Sequence, residues 1–225
     1  PGTYLVSQTL SLKSKTYLKG AGTASVFKRA DSGGDSILLS RGVTGVTVEA
    51  IAIDLNGAKP APGQKRVFAD GLAFLDDSAD LRIRDVHVFD STGTNVCCRH
   101  GILVLRSERV WIERNHLSHG LRLKAGGIGN KLIIADNIIE DANDNAITIA
   151  TGSVNTKTTN YIIRNNIVVA ARGAYIYIGD DGKPPDDPPR MGELVYQNIV
   201  ADGNLLLGPV LASQVMVKIR LASVT

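Results

Sequence analysis

The sequence predicts an all-β solenoid, a right-handed single-stranded parallel β-helix of about seven to eight coils, because short apolar segments recur with the variable period of stacked repeats. Three observations carry this reading. One set of short apolar strands returns along the chain, a second set with its own pattern follows each of them, and an Asn sits at one phase of four successive repeats. The 225 residues suit a single domain spanning 1–225.

The first set covers Gly2–Val6, 37–40, 72–75, 102–105, 121–124, 146–150, 174–178 and Leu205–Leu207, each often opened by a small residue. A turn follows, then the second set at 46–53, 81–88, 110–117, 132–139, 161–168 and 194–200, reading apolar, two residues, small or Asn, apolar again. First-set strands begin at 37, 72, 102, 121, 146, 174 and 205. Intervals this uneven belong to turns that lengthen without disturbing the strands, and they exclude a repeat of fixed length.

The Asn column comprises Asn115, Asn137, Asn166 and Asn198. Asn tolerates left-handed backbone and bonds neighbouring main chain, so a stacked row of them can satisfy the buried polar groups of a sharp bend. Val86 and Ile51 hold that phase in the earlier repeats, where apolar stacking should replace the ladder.

Composition agrees. Apolar residues make up 44% and aromatic residues only 5%, so the core must be built from Val, Ile, Leu and Ala. The net charge of +3 is modest and the basic residues are scattered, which speaks against nucleic acid. No apolar run approaches a membrane span, so no membrane partner is expected. Cys97 and Cys98 are adjacent, which fits neither a disulfide scaffold nor a zinc site. The chain opens on Pro1 and leads straight into a strand-like segment, which predicts a fragment of a longer chain.

These features resemble the pectate-lyase-like superfamily of right-handed β-helix proteins, which includes pectate lyases, polygalacturonases, alginate epimerases and lyases, and phage tailspike depolymerases. The segments 1–7 and 16–22 look like that family's first coil, with its capping helix missing. By this resemblance the first set is the sheet PB1, the second is PB2, and the Asn ladder lies in the turn from PB2 to PB3. The resemblance implies an extracellular, cell-surface or virion-associated protein, with an acidic polysaccharide along PB1 between longer loops at 55–70, 90–100, 151–160 and 179–192. A tailspike origin would imply a homotrimer.

Alternation along PB1 turns Arg122 and Lys124 outward beside His119. Cations that hold a carboxylate beside a group able to take a proton suit an acidic sugar, so His119, Arg122 and Lys124 are the candidate catalytic residues, together with Tyr177. Tyr175 is expected to share the outward face with Tyr177, and Thr148, Arg106, His100 and Asp180 complete the expected substrate contacts. The Asp pairs 76/77, 141/144, 180/181 and 186/187 suit glycoside hydrolysis or calcium. No metal ligand is assigned, and calcium is the one cofactor considered.

The sequence also departs from the family. The Asp-Pro-His group of alginate epimerases and lyases is replaced at the best-aligned strand by Leu103, Val104 and Leu105, and the Asp-Asp strand of polygalacturonases is missing. Two functions therefore stand open: a lyase or hydrolase acting on an acidic polysaccharide, and a non-catalytic glycan-binding or structural β-helix. The second draws on Ala73, Leu75, Leu103 and Leu105, whose outward apolar side chains would suit a subunit interface.

Overall fold

The computed structural model describes residues 1–30, 36–57, 70–91, 100–127, 129–150, 157–179, 195–208 and 217–220. The expected loop walls fall mostly outside these residues, as do Cys97, Cys98, Asp180 and the Asp pair at 186/187.

The chain forms the right-handed parallel β-helix that the repeats predict. Among the described residues, three parallel sheets of seven, seven and eight strands run the length of the solenoid. PB1 comprises Ser36–Arg41, Asp70–Leu75, His100–Leu105, Arg122–Gly126, Ile147–Ala150, Ile176–Gly179 and Val217–Arg220. PB2 comprises Tyr17–Lys19, Thr47–Glu49, Ser78–Arg84, Ser107–Glu113, Leu132–Ala135, Lys157–Arg164 and Val195–Asp202. PB3 comprises Gly2–Val6, Ser25–Arg29, Ala52–Asp54, His87–Phe89, His116–Leu117, Ile138–Ala142, Ile167–Ala171 and Leu205–Leu207.

Two assignments differ from the sequence reading. Gly2–Val6 pairs with Ser25–Arg29, and Leu205–Leu207 pairs with Ile167–Val169, so both belong to PB3 and not to PB1. A strand of three to five apolar residues reads alike in any sheet, and only its distance from the preceding strand identifies it. Leu205 follows the PB2 strand after a two-residue turn, and the PB1 strand of that coil is Val217–Arg220.

One continuous core fills the tube. It is built from Ile, Val and Leu of all three sheets, such as Leu72, Ile83, Val88, Ile102, Ile112, Leu123, Ile134, Ile147 and Ile163. The long axis therefore needs no large rings at most levels, in accord with the low aromatic content.

The Asn ladder occupies the PB2-to-PB3 turn. Asn115, Asn137 and Asn166 are buried. Each amide nitrogen donates to a PB2 carbonyl of the preceding coil, Ile83, Ile112 and Ile134 respectively, at 2.9–3.1 Å. Asn137 Oδ1 accepts the Asn115 backbone N–H, Asn166 Oδ1 that of Asn137, and Asn204 Oδ1 that of Asn166. The fourth rung is thus Asn204, not Asn198, which lies on the surface within PB2. At the other end Asn115 Oδ1 accepts the Val86 N–H, and Val86 and Ile51 continue the column as buried apolar residues, as expected.

The corners have a second regularity. Lys15, Gly45, Asp80, Arg109, Lys131, Asn160 and Asn198 all have positive φ between 50° and 70° and fall at one level of successive coils, where PB2 bends. A parallel column runs through Ala50, Asp85, Arg114, Asp136, Asn165 and Gly203 at the PB2-to-PB3 turn. Left-handed backbone favours Gly, Asn and Asp, and the two Arg are each held by a carboxylate one coil away. Arg109 Nε and Nη2 donate to Asp80 at 2.6 and 2.9 Å, and Arg114 makes the same bidentate contact with Asp85 at 2.9 and 2.8 Å.

Candidate functional site

The site is built where PB1 strands begin. Asp70 and His100 open two neighbouring strands and are each followed by a glycine, Asp70-Gly71 and His100-Gly101. Close backbone approach requires the first glycine and packing crowds the second. A Cβ on Gly71 would lie 2.6 Å from the Gly101 carbonyl oxygen and 2.6 Å from Val88, and one on Gly101 would lie 2.7 Å from Leu117. Gly101 is also the extra residue of a bulge, since His100 pairs with Arg122 while Ile102 pairs with Leu123. Bulges re-aim the side chain beside them, and here that side chain is the imidazole.

His100 Nδ1 lies 2.7 Å from Asp70 Oδ1, and the His100 backbone N–H donates to the same oxygen at 3.3 Å. Both residues are buried. An Nδ1–H held by a carboxylate fixes the tautomer with the lone pair on Nε2, and His100 Nε2 is buried with no hydrogen-bond partner among the described residues. Burial holds the imidazole below its ordinary range, Asp70 opposes this, and the cations Arg122 and Lys124 add to the lowering. Burial and the two cations thus favour the neutral imidazole, whose Nε2 is unspent among the described residues.

Arg122 opens the next strand in register with His100. Its Nη1 donates to Asp144, while its Nε is buried and unpaired among the described residues. Lys124, Thr148 and Tyr177 then stack in register on the outer face of three successive PB1 strands. Thr148 is buried and its hydroxyl oxygen has no partner among the described residues. The structure therefore gathers Asp70, His100, Arg122, Lys124, Thr148 and Tyr177 on one face. Asp70 is the member that sequence reasoning missed; the repeated Asp-Gly and His-Gly openings at one phase would have revealed it.

The other expected site residues lie elsewhere. His119 has a left-handed backbone in the turn before PB1, and its Nδ1 lies 3.1 Å from Ser118 Oγ, on the PB3 side with His87 and His116. Tyr175 is fully buried in the main core, so it does not share the outward face of Tyr177. Alternation holds only within a strand, and this strand starts at Ile176. Arg106 stands at the opposite end of PB1, where its Nε donates to Asp76 at 2.7 Å and Arg41 meets the same carboxylate. The two guanidinium groups, Arg106 foremost, hold the Asp76 carboxyl below the usual carboxylate range.

The early PB1 face is apolar. Ala73, Leu75 and Leu103 are buried in a cluster separate from the main core. Leu39 and Leu105 pack against this cluster and remain partly exposed. Among the described residues no three His, Cys, Asp or Glu side chains stand as a metal site.

No protein-family model matches the chain, and no curated protein matches it in sequence. Its structure is similar to that of the A-module of the mannuronan C-5 epimerase AlgE6 from Azotobacter vinelandii, with a TM-score of 0.59 and 18% identity over 79% of this chain. The match covers 48% of that module, so the chain spans about half its length. At this identity the likeness is one of fold, the right-handed parallel β-helix.

Proposed function

We propose that the protein is a polysaccharide lyase, acting on an acidic, uronate-containing glycan laid across the later PB1 coils. The observation that carries this reading is the buried His100 Nε2, left without a hydrogen-bond partner among the described residues while Asp70 holds the other ring nitrogen and Arg122 and Lys124 stand beside it. The fold shared with a module named for acting on mannuronan, itself an acidic polysaccharide, supports the substrate class.

The chemistry follows from the charges. Arg122 and Lys124 hold the sugar carboxylate and stabilise the negative charge that develops when the adjacent carbon loses its proton. His100 Nε2 takes that proton. The C–H electron pair forms the ring double bond, the C4–O bond breaks, and the leaving oxygen takes a proton from Tyr177 or Lys124. Arg122 is oriented by Asp144, and Asp70 is a positioning residue for His100.

The test is a panel of uronate-rich and capsular polysaccharides, assayed for unsaturated ends and for new reducing ends, with wild type and His100→Ala. Unsaturated ends that disappear in the variant support elimination. New reducing ends without unsaturation, or unsaturated products that His100→Ala leaves intact, overturn it.

A further inference from the structure

The outer bend of PB2 carries a groove, on a different sheet from the PB1 site. Where the left-handed column turns the sheet, Lys131, Asn160 and Asn198 form one wall of an open groove of about 410 Å³, Asn130 adjoins them, and Ile162 and Val200 form its floor. This lies within the range of about 300–1,000 Å³ usual for ligand pockets.

The amides of this wall are arranged as a row. Asn198 Nδ2 donates to Asn160 Oδ1 at 3.0 Å, and Asn160 Nδ2 donates to Asn130 Oδ1 at 3.1 Å. An amide has two N–H donors and two acceptor lone pairs. The row uses one of each at Asn160 and fixes which way each amide faces, so the remaining donor and acceptor are exposed and oriented in advance. They repeat once per coil, about every 4.8 Å, of the same order as one sugar ring along a glycan strand. Beside them Val200 is 53% exposed, an unusual apolar floor for an amide wall.

Other occupants fit less well. An added peptide strand needs an open sheet edge; Leu132–Ala135 and Lys157–Arg164 under the groove are paired on both sides, and a strand added beyond Val195–Asp202, the last PB2 strand among the described residues, would extend the sheet beside the groove and not fill it. Nucleic acid needs a row of cations, and Lys131 is the single cation lining the groove among the described residues. A sugar chain has C–H faces for Ile162 and Val200, and hydroxyl groups for the amides.

We propose that this groove is a second saccharide-binding site, taking a glycan strand parallel to the solenoid axis. The inference stands on the groove alone and does not require turnover at PB1.

The site has a built-in reporter. Lys131 Nζ lies 4.9 Å from the ring centroid of Trp111, the single tryptophan of the chain, so a ligand that engages Lys131 perturbs its fluorescence. The experiment titrates uronate-rich and neutral oligosaccharides into wild type, a PB1 variant (Lys124→Ala with His100→Ala), and two groove variants, Val200→Glu and Asn160→Asp. Asn160→Asp keeps a residue that tolerates φ of 62°. Unfolding midpoints report whether each variant is folded.

The expected result is saturable fluorescence change in wild type and in the PB1 variant alike, weakened at least about tenfold (about 1.4 kcal/mol) by either groove variant, with turnover unchanged. Binding lost in the PB1 variant but retained in both folded groove variants overturns the proposal. So does the absence of any saccharide response in wild type. Loss of turnover in the PB1 variant with groove binding intact leaves the two sites separately established.

Discussion

His100 gives Asp70 Oδ1 two contacts, its backbone N–H at 3.3 Å and its ring Nδ1 at 2.7 Å, so a single carboxylate oxygen fixes both the strand opening and the imidazole tautomer. Replacing Asp70 by Asn substitutes an amide that can donate to Nδ1 and favour the wrong tautomer. We expect Asp70→Asn and His100→Ala each to lower kcat on the order of 10²- to 10⁴-fold. The check is steady-state kinetics on whichever uronan responds, with KM little changed because Arg122 and Lys124 remain.

The pH profile of the same reaction has a definite sign. Burial lowers the His100 pKa, so the neutral base persists below the ordinary imidazole value of about 6.5 and the acid limb of kcat/KM lies under it. Asp70 opposes that lowering and the two cations add to it. Lys124→Gln should therefore move the limb up and Asp70→Asn should move it down. Identical limbs in both variants would assign the limb to another group.

A third prediction concerns the ladder. Asn137 is fully buried, donates to the Ile112 carbonyl and accepts the Asn115 N–H. Asn137→Ala strands both partners at about 1–3 kcal/mol each, for a loss of about 3 kcal/mol in all, read as a lower urea midpoint. Asn137→Asp keeps the acceptor but places a carboxyl where burial raises its pKa. Its stability should be greatest in acid and fall as pH rises, the reverse of an ordinary surface Asp.

His87 and His116 stack at 4.6 Å between ring centroids and 6° between planes, and His116 Nε2 lies 2.7 Å from Glu140. Burial first, then His116 and His119, lower the His87 pKa, with Glu140 pulling the other way. The unfolded chain therefore binds a proton at this site before the folded one does. The stability the group contributes is present above about pH 6.5 and is lost as pH falls through the lower folded value. His87→Phe keeps a ring in the stack and should flatten the dependence of the unfolding midpoint on pH between about 5 and 7. An unchanged slope would place the acid sensitivity elsewhere.

The fold was legible because its signals repeat: a core of Ile, Leu and Val at phased positions, and Asn115, Asn137 and Asn166 at one turn. What failed was phase at the last coil. Asn198 and Asn204 are both Asn in the same repeat, and only the pairing of Thr159 with Gln197 and of Tyr161 with Ile199 shows that Asn198 lies within the strand. The site was half legible. Arg122, Lys124 and Tyr177 follow from alternation, but His119 and Tyr175 sit in turns where alternation does not apply. The dyad of Asp70 and His100, 30 residues apart, depends on a bulge at Gly101, and only the matched Asp-Gly and His-Gly strand openings point to it in the sequence.

The change at Val86 from apolar column to amide column has a consequence for building with this scaffold. A coil inserted ahead of Val86 meets methyl groups and needs only an apolar residue at that phase. One inserted behind Asn115 must bring its own Asn, or a carbonyl and an amide are left stranded on either side of the graft. The molecule thus has one tolerant half and one exacting half, and extensions of its length belong on the tolerant side.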